Sequence, residues 1–165
     1  MKKVLCVVIA LMLLVCTALA ETGYDEIDMK DTRETLISRY GEPAYTEEGY
    51  ADFGGVLCAF YESGRLQAKL MNFDDVVDVA ALTEYDFAQA KKLRSGESIE
   101  NVLVLMGGEG TEIARINLSD EDTSGVQRVL AWKNAKGNAM EMLFELDDGH
   151  WVLFAAVEIV RPDAE

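Results

Sequence analysis

One unit occurs twice in this sequence of 165 residues, and an internal repeat constrains architecture before any single side chain is interpreted. Each copy is a short amphipathic helix, a Gly-Glu turn and a hairpin closed by an acidic-Gly turn. The first runs through residues 31–40, Gly41-Glu42-Pro43 and the hairpin at Glu62-Ser63-Gly64. The second runs through residues 98–107, Gly108-Glu109-Gly110 and the hairpin at Asp147-Asp148-Gly149. Aligning Gly41 with Gly108 sets an offset of 67, and aligning Gly64 with Gly149 sets one of 85. The 18-residue excess of the second copy is expected in an acidic loop over residues 111–125.

Helix and strand chemistry fills in each copy. Asp31 reads as the cap of the first helix, with Glu34 at the capping-box position and Leu36, Ile37 and Tyr40 on its apolar face. Gly41 stops that helix and Pro43 keeps it from resuming. Strands are predicted over residues 45–53, 56–61 and 66–73, followed by a linker at 74–83. The second copy adds a helix over residues 85–94, then one capped by Ser98 with a buried stripe of Ile99, Val102, Leu103 and Met106. Its strands cover residues 126–134, 139–146 and 150–161. In the last, Trp151, Leu153, Ala155, Val157 and Ile159 alternate onto one face.

The expected fold is therefore α+β: two tandem helix–antiparallel-sheet units, at residues 21–80 and 81–165, forming one compact domain with helices packed on one face of a curved sheet. This pattern resembles the β-lactamase inhibitor protein fold and its single-unit relatives, the SmpA/OmlA (BamE-like) lipoproteins. The residues that carry the resemblance in the second copy are 93–98, Gly108-Glu109-Gly110, Trp132 and 144–149. In the first they are Tyr40-Gly41-Glu42-Pro43 and 60–64. The resemblance implies this fold and a tendency to bind proteins. The inhibitor's paired cysteines are absent, and no interface residue carries over.

Residues 1–20 read as an export signal, with Lys2 and Lys3 ahead of an apolar run at 4–15 and a small-x-small site ending at Ala20. Cys16 suggests lipid attachment, but Val15 stands where a lipoprotein signal needs a small residue, so a soluble form is favoured over an anchored one. The expected location is secreted or at the cell-envelope exterior, with no stable membrane span after cleavage. The signal carries two of 15 basic residues and none of 30 acidic ones, leaving 13 − 30 = −17 on the mature chain. Such a field repels phosphates and argues against nucleic acid. It suits a basic or envelope-associated protein partner. Cys58 alone remains after cleavage and reads as a small buried apolar residue.

No catalytic constellation is visible. His150 is the single histidine, and there is no CxxC or HExxH spacing. Gly107-Gly108-Glu109-Gly110 follows a helix rather than opening one and lacks the phosphate-loop Lys. Asp120, Asp122 and Ser124, followed by Gly125, copy the opening half of a calcium loop, although the twelfth position is Ala131 rather than Glu. Calcium is thus the one candidate cofactor, set against a solvated acidic loop. Trp132, Phe144, Phe154 and His150 are the candidate partner-binding residues, on the uncovered sheet face. The expected function is a non-enzymatic protein-binding module, inhibitor-like or envelope-associated. The alternative is an extracellular domain that binds calcium or a small ligand.

Overall fold

The computed structural model describes residues 23–47, 49–71, 82–85, 87–122 and 125–160. The export signal, most of the linker, Ser124 and the last five residues lie outside them.

Among the described residues, eight strands form one antiparallel sheet in sequence order: β1 Tyr45–Glu47, β2 Tyr50–Asp52, β3 Val56–Phe60, β4 Leu66–Met71, β5 Thr111–Asn117, β6 Val126–Lys133, β7 Ala139–Asp147 and β8 His150–Ile159. The helices are few and short: α1 Arg33–Tyr40, α2 Phe87–Ala90 and α3 Ile99–Met106. A 3-10 turn at Tyr24–Glu26 precedes α1.

The expectation of two tandem helix–sheet units is corrected by the pairing of β4 with β5. Ala68, Lys69 and Leu70 sit opposite Ile116, Arg115 and Ala114, so the sheet runs without a break from one end of the fold to the other. The strand that makes this join is half of the supposed acidic loop. Glu112 and Arg115 disguise it, and a register shift between Glu112 and Ala114 breaks its alternation. The helix expected at residues 85–94 shrinks to the single turn α2. Tyr85 is instead extended, its N–H donating to the Lys133 carbonyl at 2.9 Å.

Paired residues share a face, so the row Cys58–Lys69–Arg115–Arg128–Phe144–Leu153 fixes which side of every strand is which. On that side lie two separate cores. One gathers Leu36 of α1 with Ile27, Ala51, Phe53, Val56, Cys58 and Leu66. The other gathers Ile99, Val102 and Met106 of α3 with Leu130, Trp132, Met140, Met142, Phe144 and Leu153. Leu82, Ile113, Ala131 and Ala139 form a smaller cluster.

Each long helix is pinned to a strand at its start. Ser98 caps α3 by accepting from the Asn101 N–H, and Gly107 ends it in the left-handed region at φ 75°. In α1 the cap is Thr32, not Asp31, and its box partner is Thr35 rather than Glu34. Asp31 is buried instead. It accepts from the Asp28 N–H at 2.9 Å and from Arg39 Nη2 at 2.8 Å, tying the entering chain to the helix end. The Arg33 N–H reaches the Gly64 carbonyl at 2.8 Å, and the Leu153 N–H reaches that of Glu97 at 2.8 Å.

Candidate protein-binding edge

Strand β8 is the last in the sheet and pairs with β7 alone among the strands. Asp148 and Gly149, both at positive φ (46° and 81°), make the two-residue turn that sets its register, with Asp147 opposite His150. The first half of its outer edge is closed by the loop leading into α3. Gly96 N–H donates to the Leu153 carbonyl at 2.8 Å, and Ser98 bridges to Val152. From Phe154 onward no strand pairs with the outer edge among the described residues.

The alternation expected along β8 breaks at Phe154. Phe144 lies opposite Leu153 and Leu143 opposite Ala155, so Phe154 is an extra, bulged residue. Trp151 and Leu153 face α3, but Ala156 and Glu158 then take that face, opposite Met142 and Met140. Val157 and Ile159 turn to the other side. The open half of the edge consequently displays Phe154 at 52 %, Val157 at 58 %, Ile159 at 40 % and Val160 at 64 % exposure.

Of the residues expected to contact a partner, Phe154 and His150 are exposed and both lie on β8. Trp132 and Phe144 are corrected: both are fully buried beneath α3, because their strand positions face the helix. The Trp132 indole N–H donates to the Gly108 carbonyl at 3.3 Å. Trp151 is partly buried, with the Arg128 guanidinium 5.5 Å from its ring centre.

Of the calcium candidates, Asp120 and Asp122 lie in the loop that follows β5. Asp120 accepts from the Ser63 hydroxyl, and Arg65 Nη1 donates to the carbonyls of Asp120 and Glu121. The Arg65 guanidinium thus sits against the loop backbone at these two carbonyls. Asn117 Nδ2 holds the Asp122 carbonyl at 2.9 Å. Ser124 lies outside the described residues, among which no three His, Cys, Asp or Glu side chains gather as a metal site. Among them, too, no helix is long and apolar enough to cross a membrane. An open groove of roughly 760 Å³ beside α2 is lined by Glu84, Tyr85, Gln89, Met106 and Lys136.

Sequence reading missed a charged row between the two cores. Lys69 is 3 % exposed, and its Nζ donates to the Tyr24 and Ile27 carbonyls at 2.8 and 2.7 Å, 4.0 Å from the Tyr24 ring centre. Burial holds its ammonium below the ordinary lysine range, and the neighbouring Arg115 charge adds to this. Glu112 Oε2 takes both Arg115 Nη2 (2.6 Å) and Arg128 Nη2 (3.0 Å), while Oε1 accepts from the Tyr24 hydroxyl at 3.2 Å. Burial, then the Glu112 charge, push the Tyr24 phenol upward. The signal was the register, which sequence alone does not supply. No protein-family model matches the chain, and no curated protein matches it.

Proposed function

We propose that this chain is a non-enzymatic protein-binding module, exported to the cell-envelope exterior or beyond. It takes an extended segment of a partner along the open half of β8. The supporting observation is that edge: backbone that no strand pairs among the described residues, flanked by Phe154, Val157, Ile159 and Val160. An exposed apolar edge strand is a template for strand addition, where backbone hydrogen bonds give affinity and alternate side chains give specificity. The net charge of −17 left after signal cleavage favours a partner segment bordered by Lys or Arg and speeds its approach.

A photo-crosslinking residue at position 157, with position 62 in the distant β3–β4 turn as a control, tests this in envelope extract. A single partner captured at 157, absent at 62 and lost in Ile159→Lys, is the expected result. Equal capture at both positions, no capture, or capture of a second copy of the chain would overturn the reading.

A further inference from the structure

Two guanidiniums of the charged row share a single carboxylate. Arg115 and Arg128 both pair with Glu112, and Lys69 lies on the same side of the adjacent strand, where Glu112, Asp25 and Asp28 offset its charge. Lys69 is committed to two backbone carbonyls, and both Glu112 oxygens are taken. The two guanidiniums therefore carry one positive charge beyond their shared carboxylate. In addition, Nε of Arg115 and Nε of Arg128 are both buried without an acceptor among the described residues. A buried donor left unpaired is costly, and here two stand opposite each other across β5 and β6.

We propose that Arg115 and Arg128 form a binding site for a small oxyanion, a phosphate or carboxylate group, between the two cores. Each guanidinium presents a planar fork that matches O–C–O or O–P–O geometry. The side chains are 32 % and 23 % exposed, so an anion reaches them from the solvent side. Trp151 backs the Arg128 plane, and Lys69 adds its charge from the next strand. The surrounding acidic field excludes polyanions, which selects a compact ligand. The site is independent of the β8 edge and does not rest on that reading.

The test is a titration of the full chain carrying ¹⁵N-arginine, following the Nε–H resonances by NMR. Sodium phosphate and sodium acetate are added separately at constant ionic strength, with sodium chloride as reference. Saturable movement of the Arg115 and Arg128 signals by phosphate, acetate or both is expected, and the more effective anion names the ligand class. Arg128→Lys keeps the charge but removes the fork, and weakens binding by about tenfold, the value of one charge-assisted hydrogen bond. Arg115→Lys serves if that variant does not fold. Resonances that stay still, or that chloride moves equally, would overturn the proposal.

Discussion

Gly110 is the position where one methyl group does the most predictable damage. A Cβ built there lies 2.5, 2.6 and 2.7 Å from Cζ2, Cε2 and Cη2 of Trp132. Carbon atoms rest about 3.5–4.0 Å apart, so the indole must withdraw by about 1 Å. It has nowhere to go. Trp132 is fully buried among Met140, Met142 and Leu130, and its N–H is held by the Gly108 carbonyl. Overpacking of this kind costs about 1–3 kcal/mol, and a rigid ring as the obstacle puts Gly110→Ala at the upper end. With a urea m-value of about 1–3 kcal/mol/M, the unfolding midpoint should fall by about 1 M at unchanged m. Gly23→Ala is the matched control: its φ is −60° and the nearest atom to a new Cβ is 3.6 Å away. Trp132→Phe removes the ring atoms concerned, so the double variant should lose less than the two single losses combined. A Gly110→Ala protein with a wild-type midpoint would refute the packing argument.

Glu112→Gln strands Arg115 and Arg128 beside each other and should lower stability by about 2 kcal/mol in urea unfolding, discounted from a fully buried pair because both arginines see solvent. Glu141, half-buried opposite Ala131 and Val157, has its carboxyl raised above its ordinary value by burial. The native state then holds the proton more tightly than the unfolded one, so this group costs stability as pH rises above the ordinary carboxylate range. Glu141→Gln should therefore melt higher than wild type at pH 7, with the difference disappearing at acid pH. Burial pushes the Cys58 thiol up to about 12. It should ignore a thiol reagent in native buffer and react fully in urea.

Local signals placed most elements. Ser98 with its apolar stripe, and the turn at Asp148-Gly149, act over a few residues and are visible as pattern. What escaped depends on partners distant in the chain. β5 carries Glu112 and Arg115 inward because each meets the other, Arg128 and Tyr24, a reason invisible from residues 111–117 alone. Trp132 and Phe144 looked like a binding patch because nothing in β6 or β7 says which face α3 will cover. The bulge at Phe154 is a backbone event, and it moved Val157 and Ile159 from the expected core face to the other side. Asp31 and Thr32 are both good caps, and the Arg39 guanidinium, with the Asp28 N–H, holds Asp31 inward.

The join between β4 and β5 also dictates how the chain finds its fold. Every other pair of neighbouring strands is linked by a short connection, so each can close quickly as a local hairpin. Between Met71 and Thr111 the chain must instead close a loop several doublings longer, at about 0.6 kcal/mol of entropy for each doubling. The pair that meets there includes Lys69 opposite Arg115, two cations that repel until Glu112 and the Tyr24 and Ile27 carbonyls are in place. The seam should thus be the last part of the sheet to form and the first to open. Hydrogen exchange would register that as earlier loss of protection along β4 and β5 than along β6 and β7.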